Sequence, residues 1–167
     1  MPRLHALELV LDDEGDQAVR RDWQALRDAG LPSMLDHTGA TNTPHVTLLA
    51  LPAIGPALEA RAADLVGGLL PLPVRTSGLA LLGGGQVTVA RLLDVPPELT
   101  RAVLDLRRDA PDERHPGWLP HVTLARRVPR ADVQRAVDAA GYADVVLTLT
   151  AVRRWDPERN DVRMLGT

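Results

Sequence analysis

The word Pro-His-Val-Thr-Leu occurs twice in these 167 residues, at 44–48 and at 120–124. The chain has only 5 histidines, so the recurrence marks His45 and His121 as a related pair. Val, Thr and Leu favour extended backbone and the preceding Pro restricts the entry, so each copy predicts a strand. Side chains at i and i+2 of a strand share a face. His45 therefore projects with Thr47, and His121 with Thr123, while Val46 and Val122 point the other way. Imidazole titrates near pH 6.5, so one neutral and one protonated ring can coexist close to neutrality. The hydroxyls can donate to the non-bridging oxygens of a phosphate. The four groups together suit in-line attack on a phosphodiester without a metal. One imidazole takes the nucleophile's proton, and the other, across the phosphorus, protonates the leaving oxygen.

The elements that must position these groups follow a repeated order. Alternation predicts a strand over Leu4–Leu11, then a helix over Asp16–Ala29 with Val19, Trp23 and Leu26 on one face and Gly30 closing it. A loop at 31–44 leads to the first histidine strand, His45–Leu51, followed by a helix over Pro56–Leu70 and a strand over Val74–Leu82. Gly83–Gly85 reads as a tight turn. The order then restarts with a strand over Gln86–Leu93 and a helix opened by Pro96-Pro97 and running to Arg108. A polar loop at 109–120, the second histidine strand His121–Val128, a helix over Arg130–Ala140 and a strand over Val145–Trp155 follow, with an edge strand over Asn160–Leu165. His45 and His121 lie 76 residues apart, and the initial strands at Leu4 and Gln86 lie 82 apart. Such similar offsets predict one domain over 1–167 with two duplicated α+β lobes, about 1–82 and 86–167, each strand–helix–strand–helix–strand. The histidine strands meet in the groove between them.

Two His-x-Thr strands in a duplicated frame of this length resemble the 2H phosphoesterase superfamily, and within it the LigT-like proteins known as 2′–5′ RNA ligases or RNA 2′,3′-cyclic phosphodiesterases. The resemblance implies a bilobal fold of antiparallel sheets around a central groove. It also implies hydrolysis of 2′,3′-cyclic phosphate ends of RNA or nucleotides to 2′-phosphates, or reversible handling of a 2′–5′ bond. Carried over by motif, His45 is the acid on the departing 3′-oxygen, His121 is the base on water, and Thr47 and Thr123 hold the phosphate. The second motif continues to Arg126, as it often does in the family, which makes Arg126 a substrate-binding candidate. Five residues beyond His121, strand alternation alone puts Arg126 on the opposite face, so reaching the groove requires a bend or bulge. Trp118 and Trp155 are candidate stacking residues, and His37 is a further substrate-binding candidate in the first loop.

Other readings of the same residues are weaker. Zinc favours histidine, but His37 and His115 stand in no standard ligand spacing to the motifs, so no metal and no cofactor are expected. Trp23 reads as core, and Gly83–Gly85 lack the Lys-Ser/Thr of a phosphate loop. There is no cysteine and no lysine; every one of the 19 basic residues is Arg. That removes disulfides, thiolate nucleophiles and Schiff-base chemistry. A net charge of −3 and 2% aromatic residues argue against a broad nucleic-acid surface, so anion binding must be local. The same scarcity leaves a second reading open, a weakly catalytic module that binds a nucleotide or RNA end in the groove. No apolar run spans a membrane and no signal-like leader opens the chain, which predicts a cytoplasmic monomer with no obligate protein partner.

Overall fold

A computed structural model describes residues 3–110 and 115–166. The centre of the predicted loop at 109–120 lies outside the described residues. Among the described residues, seven strands and four α-helices follow in the order β1 (His5–Leu11), α1 (Asp13–Asp28), β2 (His45–Leu51), α2 (Pro56–Leu65), β3 (Leu72–Gly83), β4 (Gln86–Asp94), α3 (Pro97–Arg108), β5 (His121–Pro129), α4 (Val133–Ala140), β6 (Val146–Asp156) and β7 (Asp161–Leu165). This is the α+β, antiparallel arrangement that the sequence predicts.

All the pairings are antiparallel and run β1-β2-β5-β4-β3-β6-β7, with β6 also paired to β1. Two four-stranded arms result, β2-β1-β6-β7 and β5-β4-β3-β6, because β6 serves both. Its first residues pair with β3 and its later ones with β1 and β7. Chain order predicts lobes of 1–82 and 86–167, whereas hydrogen bonding exchanges strands between the halves. The cause is local: only Gly84-Gly85 separates β3 from β4, so these strands form a hairpin and β3 joins the second arm. Gly83 has φ 106, the left-handed backbone this turn needs.

The helices lace the arms together. Helix α1 starts a turn earlier than apolar periodicity suggests, because the Asp12 carboxylate accepts from Gly15 N–H at 2.8 Å and Asp13, Glu14 and Asp16 fill the first turn. It buries Val19, Trp23 and Leu26 and packs on β5 of the opposite half. Helix α2 stops at Leu65 rather than Leu70, since Gly67-Gly68 weaken the helix and a 3₁₀ turn, Gly67–Leu69, replaces its last part. Likewise Arg130–Asp132 form a 3₁₀ turn before α4.

One ion pair ties α1 to the second arm. Arg91 on β4 is 4% exposed, and its Nε and Nη2 donate to the two carboxylate oxygens of Asp22 at 2.6 and 3.0 Å. Nη2 also donates to Ala140 O at 2.8 Å, so the same guanidinium closes the end of α4. Removing one partner of such a pair leaves the other charge uncompensated. Asp22→Ala is therefore expected to cost about 2–3 kcal/mol in denaturant unfolding, and Arg91→Met less, because the carboxylate that Met leaves unpaired is 18% exposed whereas the guanidinium is 4% exposed. Equal losses would mean that the pair acts only through its packing.

Candidate active site

The two histidine strands touch through a single ladder pair, Val46 opposite Val122. In antiparallel register that pair places His45 across from Thr123, and Thr47 across from His121, on the face opposite the two valines. Val46 and Val122 are each 1% exposed, so the valine face is core and the other face is the groove. Both histidines, both threonines and one open face are thus assembled by one contact.

Beyond that pair the strands part, and indoles take the threonine carbonyls. Trp118 Nε1 donates to Thr47 O and Trp23 Nε1 to Thr123 O, each at 3.0 Å. Arg107 from α3 donates through Nε to the neighbouring Leu48 O at 2.8 Å. Trp23 is core, as predicted, but its indole also braces the second motif. Sequence reasoning missed this hydrogen bond because nothing local links residues 100 apart.

Each histidine strand then bulges. In β2 the register steps from Glu8↔Thr47 to Leu7↔Leu49, and in β5 from Ala90↔Thr123 to Val89↔Ala125, so Leu48 and Leu124 are the extra residues. Both members of each pair Leu48-Leu49 and Leu124-Ala125 are buried, which reverses the alternation beyond them. Arg126 consequently returns to the groove face and lines the same cavity as His45. The bulge that use of Arg126 required is present. Its counterpart in the first motif is Ala50.

The ring nitrogens are set in the same way on both sides. His45 Nδ1 lies 2.8 Å from Thr43 O and His121 Nδ1 lies 2.7 Å from Leu119 O. A carbonyl only accepts, so Nδ1 carries hydrogen and Nε2 is left for chemistry in each ring. His45 Nε2 stands 3.4 Å from Glu8 Oε1. Burial pushes the His45 pKa below its ordinary 6.5, against the Glu8 carboxylate and the Thr43 hydrogen bond, with Arg153 and Arg126 adding to the fall. Glu8 is the residue that sequence reasoning passes over; Arg153, one of two neighbouring arginines that the sequence offers as able to line the groove beside Trp155, lines the His45 cavity with that indole. The available signal was a lone acid between Leu7 and Leu9 in an otherwise apolar strand.

Two cavities open from the histidine junction and share Thr47, Ala50 and Leu4. One, about 820 Å³, holds His45, Arg126 and the polar loop residues Asp36, His37, Thr38 and Asn42, with Trp155 on its wall. The other, about 1270 Å³, holds His121 with Trp118, Leu119, Leu82 and Pro52. The candidates thus divide: His37, Arg126 and Trp155 gather on the His45 side, and Trp118 on the His121 side. In the loop, Asn42 Nδ2 donates to both Met34 O and His37 O at 2.8 Å. Ser33 N–H donates to Asp36, holding that carboxyl below its usual range against slight burial, with Arg27 assisting.

Among the described residues, the metal-ligand types that lie together are His5, Asp156 and Glu158. Arg154 Nη2 sits 2.7 Å from His5 Nδ1, placing a guanidinium where a cation would go. The groove histidines are not part of that cluster. No described helix is long and apolar enough to cross a membrane.

A family model for the 2′-5′ RNA ligase superfamily matches residues 15–161. The chain belongs to this superfamily. It is accordingly a 2H phosphoesterase-type protein, and the family points to phosphoesterase activity. No curated protein matches the sequence. Solved structures share the fold at low identity. Kluyveromyces marxianus Usb1 superposes with a TM-score of 0.58 at 15% identity, covering 98% of each chain. E. coli LigT complexed with 3′-AMP gives 0.56 at 16%, covering 98% of this chain and 93% of that one. The TT0787 protein of Thermus thermophilus gives 0.56 at 18%, with 97% and 94% covered.

Keeping His45 neutral carries a cost on acidification. The unfolded chain binds a proton near pH 6.5 that buried His45 resists, so stability is full above that pH and falls as pH drops through the lowered value. Between about pH 7.5 and pH 5 the Tm is expected to fall more steeply in wild type than in His45→Gln. Parallel Tm curves would show that His45 titrates as if it were exposed.

Proposed function

We propose that this protein is a metal-independent phosphodiesterase that opens 2′,3′-cyclic phosphate ends of RNA or nucleotides to 2′-phosphates. The observation that carries the reading is the matched setting of the two histidines. Each has Nδ1 tied to the carbonyl two residues back, Nε2 unencumbered by backbone, and a threonine beside it on one groove face. His121 Nε2 takes a proton from water as its oxygen attacks phosphorus. The P–O3′ bond breaks on the opposite side, and His45 Nε2 delivers a proton to O3′. Thr47 and Thr123 donate to the non-bridging oxygens, where negative charge grows in the transition state.

The cavity with Trp155, Asn42 and Asp36 suits the nucleoside, offering a stacking face and groups for base edges. Arg126 supplies a guanidinium for the phosphate or its neighbour. The 3′-AMP complex of E. coli LigT supports a ligand of nucleotide size. With a 5′-hydroxyl in place of water as the nucleophile, the same step forms a P–O5′ bond as P–O3′ breaks and yields a 2′–5′ diester, which is ligation; its reverse cleaves that diester.

The deciding assay is turnover of 2′,3′-cyclic nucleotides in EDTA, with identification of the product. Expected are 2′-phosphate products, a bell-shaped pH–rate profile, and losses of about a hundredfold or more in both His45→Ala and His121→Ala. Binding without turnover by folded wild-type protein would favour the nucleotide-binding module instead. Loss of turnover in EDTA would reject the metal-free mechanism.

A further inference from the structure

The histidines share a backbone device and differ in what surrounds it. Glu8 pairs with Thr47 and Ala90 pairs with Thr123, which makes Glu8 and Ala90 counterparts in the two arms. One strand further out, Arg153 lies opposite Glu8 and Ala80 lies opposite Ala90. The arm that carries His45 therefore has an acid and a guanidinium where the other arm has two alanines.

Those two groups close a ring around His45. Glu8 Oε2 accepts from Arg153 Nε at 2.8 Å, and Glu8 Oε1 stands 3.4 Å from His45 Nε2. Arg153 Nη1 donates to Thr43 Oγ1 at 2.6 Å, and Thr43 O accepts from His45 Nδ1. Glu8 and Arg153 are 4% and 3% exposed. Burying an ion pair costs desolvation that apolar residues avoid. The alanines of the other arm show that the fold does not need charge at this place. A costly pair kept against one reactive nitrogen of one histidine calls for a role at that nitrogen.

We propose that Glu8, clamped by Arg153, is a positioning residue that fixes the His45 ring and holds the proton on its Nε2, making His45 the acid of the pair. The acid role rests on the phosphodiesterase reading above; the hold on the proton does not. Nδ1 is committed as a donor to Thr43, so Nε2 is the nitrogen that exchanges protons. A carboxylate oxygen facing it is a partner for N–H and offers nothing to a bare lone pair. The other charged groups facing His45 are Arg126 from β5 and Arg153 from β6, with Arg3, Asp36 and His37 along the same cavity. Burial and both guanidiniums oppose protonation, and Glu8 opposes them. Among the described residues, His121 has Ala90 in the corresponding place on its own arm and no carboxylate there.

The test is an NMR titration of the histidines in free protein, followed by pH–rate profiles on a 2′,3′-cyclic nucleotide. Glu8→Gln is expected to move the His45 midpoint to lower pH and leave that of His121 in place. Fewer molecules then carry the acid's proton, and kcat/KM at its optimum falls about tenfold or more. Glu8→Asp, which keeps the charge, recovers part of both. Should Glu8→Gln not fold, the double variant Glu8→Leu with Arg153→Met strands no buried charge and is expected to lower the midpoint too, by less, because it also removes a guanidinium that opposes protonation. An unmoved His45 midpoint overturns the proposal, whatever happens to turnover. A rise in kcat/KM in Glu8→Gln makes His45 the base and overturns it as well. A lowered midpoint in a protein whose wild type has no turnover supports the hold on the proton and rejects the phosphodiesterase reading.

Discussion

The site depends on Val46 meeting Val122. That buried contact is the only ladder pair between the two histidine strands, and the rest of the sheet brings them together around it. Because side chains alternate with a period of two, a slip of one residue would turn a histidine strand's imidazole and hydroxyl into the core and its valine into the groove. Neither motif can tolerate that, since Leu48 and Leu124 are fully buried on the valine face. Apolar burial thus fixes the register, and the register fixes the chemistry. The indoles of Trp23 and Trp118 then hold the strands where they diverge, each bonded to the carbonyl of a motif threonine.

The two motif strands share a common frame, and their departures from it distinguish the two sides. Both histidine strands bulge at the same step, both imidazoles bond the carbonyl two residues back, and both threonine carbonyls accept from an indole. At the position after the bulge the first motif has Ala50 and the second has Arg126. At the position facing the threonine the first arm has Glu8 and the second Ala90. A symmetric phosphate site gains no distinction between its two sides from symmetric walls. These substitutions put a carboxylate by one imidazole and a guanidinium on the far strand, so the groove has a direction.

Much of this was legible in the chain. The repeated motif carried the chemical groups, their facing and the duplicated order of elements, because strand periodicity and short words are local properties. Arg126 shows where local reading stops: alternation from His121 sends it to the core face, and only the bulge at Leu124, set by pairing with β4, returns it. The exchange of strands between halves was equally hidden, although the short Gly84-Gly85 turn implies it once β3 and β4 are both accepted as strands. Glu8 and Arg153 lie 145 residues apart and signal each other in no local pattern. A lone acid in an apolar strand was the visible trace, and it becomes meaningful only beside the guanidinium that tolerates its burial.

The charge balance of the groove follows from the same pair. The chain as a whole is acidic, with a net charge of −3, so attraction of a phosphate has to be generated within the groove. Arg153 lines the His45 cavity but is engaged by Glu8, which leaves that pair close to neutral there. Arg126 and Arg3, on the same cavity, are the guanidiniums that face an incoming anion from β5 and the start of the chain. Burial and the two guanidiniums disfavour a charged His45 and Glu8 opposes them, so a phosphate bound in this cavity would add its charge to that of Glu8.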